Sequence, residues 1–346
     1  MPDKIKVGVL GSTGSVGQKF IQMLEDHPYF EVTEVAASER SQGRKYREAV
    51  NWILTTPIPE SVASMEIKKC DPTLDCRLVF SGLDASVAGE IETAFAKAGY
   101  VVVSNSKNHR FDANVPLLIP EVNPDHLPLV KAQPYGKGAI VTNPNCSTIG
   151  MVIALKPLLD NFGLEAVNVV TMQAVSGAGY PGVASLDIYD NVVPFIGGEE
   201  SKMETEPLKI LGAFAKDHIE PLQMKISAQC NRVAVIDGHM EAVQVKLKKK
   251  ATKEEIINAW RTFKAEPQEL KLPFAPQPVI YYMEQDNYPQ PRKHRDLGRG
   301  MAVSIGRLRE CALFDWKFIV LSHNTARGAA GGAILCAELM KGKGML

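Results

Sequence analysis

The sequence predicts an α/β protein in which a doubly wound parallel sheet is followed by an α+β unit built on a mainly antiparallel sheet. Three observations lead there. Over roughly the first hundred residues, short apolar strands alternate with stretches of helical periodicity, a rhythm that requires crossover helices. A glycine-rich turn joins the first strand to the first helix. Past the middle of the chain the texture changes to longer strand-like runs.

In order, Ile5 to Leu10 is an apolar strand, and Phe20, Ile21 and Leu24 recur at helical spacing after the turn. Glu31 to Ala37 reads as the second strand, Leu78 to Ser81 as the third, Ser86 to Ala98 as a helix and Tyr100 to Ser104 as a further strand. Residues 41–75, with Thr56-Pro57-Ile58-Pro59, break the alternation and read as a substantial loop or insertion. A short strand, Ala139 to Val141, precedes a helix from Cys146 to Leu159. The runs Val167 to Ala174, Val233 to Leu247 and Ala302 to Leu308 then mark the second unit. Ala326 to Met340, rich in Gly and Ala, reads as a close-packing helix that returns to the first. The expected division is 1–145, rejoined by 324–346, and 146–323.

A chain of 346 residues, 45% of them hydrophobic, suffices for two domains with separate cores. Thirty-nine basic side chains balance thirty-nine acidic ones, so no overall field holds nucleic acid or an anionic membrane, and a small ligand is expected. The start of the chain runs straight into a strand without a signal-like apolar stretch, and no continuous apolar span follows; a cytoplasmic protein is expected. Six cysteines show no CxxC and no His at metal-ligand spacing, which argues for reduced thiols and against a metal site.

Glycines at 11, 14 and 17, between a strand and a helix, let the backbone turn tightly and bring amides and a helix N-terminus onto a pyrophosphate. The spacing is GxxGxxG rather than GxGxxG, and the reading is a Rossmann-type dinucleotide cradle formed by Gly11, Ser12, Thr13, Gly14, Ser15 and Val16, with Ser81 and Gly82 beside it. The second strand ends without the acidic residue that takes a ribose 2′-hydroxyl. Ser38, Arg40 and Ser41 suit the 2′-phosphate of NADP, while Glu39 keeps NAD open.

Cys146 follows a strand and a Pro-containing turn and opens an apolar helix, a position expected to lower its thiol pKa and favour the nucleophilic thiolate. A buried, inert thiol fits the position equally.

Asn143-Pro144-Asn145-Cys146-Ser147-Thr148, Gln173 to Gly179 and Arg232 to His239, in this order and spacing, resemble the aspartate-semialdehyde dehydrogenase family. The resemblance runs from the glycine loop to Asn324-Thr325-Ala326-Arg327, and Ser104 to Arg110 and Gly197 to Lys202 place it near the archaeal and fungal branch. It implies that Cys146 accepts the acyl group, Gln173 positions it and His239 is the acid/base. Arg232 would grip the substrate α-carboxylate and Glu199 its amino group, with Arg110, Asn145 and Lys202 binding phosphate. Ser176, Gly177 and Asn324 would meet the nicotinamide. The implied reaction is NADPH-dependent reductive dephosphorylation of L-4-aspartyl phosphate to L-aspartate 4-semialdehyde, in the biosynthesis of lysine, threonine, methionine and isoleucine. Residues 146–323 would be the catalytic and dimerisation domain of a homodimer or homotetramer. A reductase of N-acetyl-γ-glutamyl phosphate or of an acyl-CoA such as malonyl-CoA keeps the same thiolate, but Ser147-Thr148 and Glu199 count against them. A non-catalytic, redox-sensing nucleotide binder would lack the substrate set. Residues 265–300, with Tyr281-Tyr282 and Arg292-Lys293-His294-Arg295, have no role in this reading.

Overall fold

The computed structural model describes residues 4–346. Its first sheet comprises β1 (Ile5–Leu10), β2 (Phe30–Ala37), β3 (Lys68–Lys69), β4 (Leu78–Ser81), β5 (Val101–Ser104) and β6 (Ala139–Thr142), in the spatial order β3-β2-β1-β4-β5-β6 with every pairing parallel. All residues of β4, β5 and β6 are buried, the continuous apolar run expected of strands covered on both faces. Strand order reverses at β1, so the carboxyl ends of β1 and β4 open a crevice for a ligand. The 41–75 segment is not a bare loop: it holds short helices at Tyr46–Ala49 and Glu60–Ala63 and supplies edge strand β3.

The second unit comprises β7 (Leu164–Gln173), the hairpin β8 (Ala213–Ala215) and β9 (His218–Glu220), β10 (Lys225–Arg232), β11 (His239–Leu247), β12 (Ile280–Met283), β13 (Val303–Glu310) and β14 (Trp316–Ser322). The main sheet runs β10-β7-β11-β14-β13-β12. Its three central pairings are antiparallel and the two at the edges parallel, so it is mixed with an antiparallel majority.

The apolar run Val233–Leu247 is not one strand. β10 lies parallel to β7 on one side and β11 antiparallel to it on the other, so the chain crosses the end of β7 between Arg232 and His239. The crossing turns at Gly238 (φ 100°) and is pinned by Val233 N–H donating to the Gln173 carbonyl at 3.0 Å. Gln173, Arg232 and His239 are thereby delivered to one end of the sheet.

One face of this sheet packs Val169, Val243, Phe318 and Val320 against the helices Cys146–Phe162 and Lys253–Arg261, forming the second core. The chain then returns through a π-helical turn, Ala326–Ala330, into the helix Gly331–Gly342, whose Ile334, Leu335 and Leu339 are buried in the first core with Val7 and Val101. A buried His27–Glu338 pair, 2.7 Å apart, fastens that helix.

Candidate active site

The glycine loop turns its carbonyls inward. Tyr46 Oη donates to the Ser12 carbonyl (2.8 Å), Gln18 Nε2 to that of Thr13 (2.9 Å) and Gly14 N–H to that of Gly11 (3.0 Å). The helix Ser15–Leu24 begins there, and its first amides, at Ser15 and Val16, have no acceptor within the helix. A Cβ on Gly17 would stand 2.2 Å from the Gly11 carbonyl oxygen, so only glycine lets helix and loop close this tightly. Such a cradle fits the anion of a dinucleotide. Ser38, Glu39 and Arg40 are exposed at the end of β2, with Ser41 beside them. The Ser81 hydroxyl points inward to Glu92 (2.6 Å), so only its backbone and Gly82 face the crevice side of β4.

Across a crevice of about 520 Å³, lined among others by Ser15, Lys19, Ser176, Gly179 and Thr325, stands the end of the second sheet. Cys146 is the first residue of its helix. Asn145 caps that helix, its Oδ1 accepting the N–H groups of Ser147 (3.0 Å) and Thr148 (3.2 Å). His239 Nε2 lies 3.2 Å from Cys146 Sγ. On the other side of the ring, Nδ1 accepts the N–H of Ala174 (3.0 Å), which requires the neutral ring to carry its proton on Nε2, facing the sulfur.

The expectation of a depressed thiol pKa is reversed here. Burial, reinforced by the Glu199 charge, pushes the Cys146 thiol up to about 12, outweighing the pull of Arg232, Lys202 and Arg110. Burial and the neighbouring Arg232 charge hold His239 down at about 3. The helix terminus is present as expected, but how closely the protein surrounds the sulfur depends on contacts between distant segments that no local pattern reveals.

The remaining candidates converge on the same end. Arg232 Nη1 donates to the Ala174 carbonyl (2.8 Å). Glu199 accepts from Asn145 Nδ2 (2.7 Å) and Lys202 Nζ (2.9 Å); burial raises its pKa, but the Lys202 charge and these two hydrogen bonds more than offset that and leave it below the ordinary range. Arg110 reaches in from the first unit. Gln173 is buried, its carboxamide turned back to Thr171 Oγ1 (3.3 Å). Gly177 lies over the pair: a Cβ there would meet Arg232 Nη1 at 2.9 Å and His239 Cε1 at 3.1 Å. Asn324 ties Gly238 N–H (2.8 Å) to Ser176 Oγ (2.8 Å), bracing the strand that carries His239.

Sequence reasoning missed several groups that build this site: the Ala174 amide on His239 Nδ1, Tyr46 behind the loop, Glu206 behind Arg110 and Asn145, and Gly328 against Cys146. Their only signals were buried polar or small residues at strand and helix positions, which local pattern cannot distinguish from ordinary packing. Residues 265–300 are also placed: Arg295 Nη1 donates to the Asp237 carbonyl (3.1 Å), buttressing the turn before His239.

A cysteine paired with a histidine, set across a crevice from a glycine loop suited to a dinucleotide, points to a class, the oxidoreductases that handle their substrate on a thiol. Residues 6–129 match the family profile described as semialdehyde dehydrogenase, NAD binding domain, and residues 155–327 that described as semialdehyde dehydrogenase, dimerisation domain. The chain belongs to the aspartate-semialdehyde dehydrogenase family. It is 52% identical over 341 residues to aspartate-semialdehyde dehydrogenase of Archaeoglobus fulgidus, covering 97% of this chain and 98% of the relative. The enzyme of that name from Schizosaccharomyces pombe is 48% identical over 353 residues, covering 99% of both. Among solved structures, aspartate-semialdehyde dehydrogenase with NADP from Candida albicans superposes with a TM-score of 0.92 at 44% identity, over 99% of this chain and 100% of that one.

Proposed function

We propose that this protein is an NADP-dependent aspartate-semialdehyde dehydrogenase. The observation that carries the reading is the 3.2 Å approach of Cys146 and His239 at a capped helix N-terminus, ringed by Arg232, Glu199, Lys202 and Arg110. As its thiolate, Cys146 attacks the acyl carbon of L-4-aspartyl phosphate, the carbon–oxygen bond to phosphate breaks and phosphate leaves with that electron pair, and the acyl group remains as a thioester. When bound, the nicotinamide supplies a hydride to that carbon. The tetrahedral adduct then collapses to L-aspartate 4-semialdehyde and returns the electron pair to sulfur.

The acid/base role proposed for His239 falls to Nε2, which faces the sulfur and carries the proton in this structure; accepting a proton there requires the ring to give up its Nδ1 contact with the Ala174 N–H. Arg232 pairs with the substrate carboxylate, Glu199 with its amino group, and Lys202, Arg110 and Asn145 with the phosphate. Gln173 positions the acyl group. The loop Gly11–Val16, with Ser81, Gly82, Ser176, Gly177 and Asn324, holds the dinucleotide, and Ser38, Arg40 and Ser41 its 2′-phosphate.

The proposed division is a cofactor unit of 1–145 with 324–346 and a catalytic unit of 146–323. The second sheet's outer face, with Val170, Met172, Met240, Ala242 and Ile319 only half-buried, suits a homodimer or dimer of dimers. Among the described residues no helix is long and apolar enough to cross a membrane, in keeping with a cytoplasmic setting.

The test is reduction of NADP⁺ by the purified protein with L-aspartate 4-semialdehyde and phosphate. Phosphate-dependent turnover is expected, falling by about 10⁴-fold or more in Cys146→Ala. A folded protein inactive here but active with N-acetylglutamate semialdehyde or an acyl-CoA would overturn the assignment.

A further inference from the structure

Glu206 lies on the helix Glu199–Ile210, seven residues after Glu199 and three before Lys209, so these side chains share one helical face with Lys202. That face looks across the domain junction. Glu206 is fully buried, and its two oxygens take different partners: Oε1 accepts Arg110 Nη1 at 2.7 Å, and Oε2 accepts the backbone N–H of Asn145 at 2.7 Å. The guanidinium is held a second time where Nη2 donates to the Asn105 carbonyl (2.9 Å), and its buried Nε has no protein acceptor. One turn on, Lys209 Nζ donates to the carbonyls of Arg110 (2.8 Å), Asp112 (2.8 Å) and Val115 (2.9 Å).

We infer that Glu206 is a positioning residue that sets, with one carboxylate, both the phosphate-binding Arg110 and the peptide leading into Cys146. The inference rests on the phosphate role proposed for Arg110. An arginine brought into a buried site without a counter-charge faces a heavy desolvation cost; Glu206 removes that cost in advance and fixes the plane of the fork. Two donors on the guanidinium are spent on protein and the remaining edge is left for a phosphate oxygen. The second carboxylate oxygen locks the residue before the nucleophile, so phosphate capture and thiol orientation share one anchor.

A glutamine at this position keeps the shape but has a single accepting oxygen, and its amide turns a donor toward a donor, so one of the two anchors is lost. The experiment compares wild type, Glu206→Gln, Glu206→Asp, Arg110→Ala and the Arg110→Ala/Glu206→Gln double variant. The expected result in Glu206→Gln is a phosphate KM raised about tenfold or more, with the NADP⁺ KM within about twofold, the size expected for loss of a charge-assisted hydrogen bond. Because the Arg110 anchor is already absent in Arg110→Ala, Glu206→Gln should raise the phosphate KM by a clearly smaller factor in that background than in wild type, the remainder coming through the Asn145 anchor. A second readout needs no turnover: inorganic phosphate should protect Cys146 from iodoacetamide in wild type, much less in Glu206→Gln, and partially in Glu206→Asp, which keeps the charge at shorter reach. If Glu206→Gln fails to fold, Glu206→Asp carries both measurements. A phosphate KM and protection unchanged in the variants, or an effect of Glu206→Gln as large in the Arg110→Ala background as in wild type, would overturn the inference. Wild type that is protected by phosphate but does not turn over aspartate semialdehyde would instead sink the substrate assignment.

Discussion

Cys146 and His239 face each other as two neutral groups: the ring presents its Nε2 proton to a sulfur 3.2 Å away, while Nδ1 is occupied by the Ala174 N–H. Taking a proton from the thiol would require Nδ1 to gain a hydrogen against that N–H, leaving two donors opposed. With the thiol pushed up to about 12 and the imidazole held at about 3, neither ionises near neutrality in the ligand-free site. The thiolate fraction then grows with pH across the whole accessible range, and the alkylation rate of Cys146 should climb about tenfold per pH unit without a plateau between about pH 6 and 9. Iodoacetamide kinetics with mass-spectrometric assignment to Cys146 measure this. An inflection near the ordinary imidazole pKa would show a thiolate–imidazolium pair and sink the neutral description.

The parts of this site that were legible in sequence are those whose signal is local. A strand, a glycine turn and a helix pointed to the cradle; a cysteine after Asn-Pro-Asn was a candidate nucleophile that only the family resemblance singled out. What was not legible depends on pairing between distant strands. Val233–Leu247 has the apolar texture of one strand, and nothing in it reveals that β10 and β11 flank β7 on opposite sides, which is what brings Arg232 and His239 beside Gln173. Likewise the 41–75 insertion gave no hint that Tyr46 would support Ser12, because a buried aromatic carries the same local pattern whichever element it packs beneath.

Arg40 is exposed at the end of β2, free to meet a 2′-phosphate that NAD lacks. Arg40→Ala should raise the KM for NADP⁺ about tenfold and leave that for NAD⁺ within about twofold, the cost of one exposed charge-assisted contact. Parallel steady-state titrations of the two cofactors decide it. An equal change in both would return Arg40 to an ordinary surface charge.

Gly328 sits in the π-helical turn against Cys146; a Cβ there would lie 2.7 Å from Cys146 Cβ and 2.9 Å from its Cα. Both contacts are too short, so Gly328→Ala must displace the start of the Cys146 helix or the returning chain. The expected loss is about 1–3 kcal/mol in stability and roughly 100-fold in kcat, since small displacements of a nucleophile are costly. Urea unfolding and single-turnover kinetics separate the two effects. A variant with kcat within twofold of wild type would show that the turn yields without moving the thiol.

Glu241 is buried on the same sheet face as His239, and neither of its carboxylate oxygens has a hydrogen-bond partner. Burial, with the Glu199 charge adding to it, raises its pKa well above 4.5. A raised carboxyl pKa means the folded protein keeps a proton that the unfolded chain has released. Its contribution to stability is therefore complete below the unfolded pKa and is lost as pH rises through the folded one. Glu241→Gln holds the neutral form at every pH. Melting temperatures measured from about pH 5 to 9 should show the variant gaining on wild type as pH rises, with little difference at the acid end. A constant offset would mean that Glu241 is not a titrating burden.

Arg327 and Glu121 are both almost fully buried, and the guanidinium engages both carboxylate oxygens, one bond measuring 2.7 Å. Arg327 directly precedes Gly328, so this pair fixes the chain that lies beneath Cys146. Glu121→Ala strands a buried cation and should cost about 3–5 kcal/mol, whereas an apolar replacement of both partners should cost little or nothing. Stability and activity then part company. If the pair served stability alone, Glu121→Leu/Arg327→Met would recover both. We expect it to recover the urea midpoint but not the turnover, because two flexible apolar side chains do not hold the turn in register the way a bidentate fork does. Full recovery of kcat in the double variant would assign the aim of Gly328 to packing rather than to the ion pair.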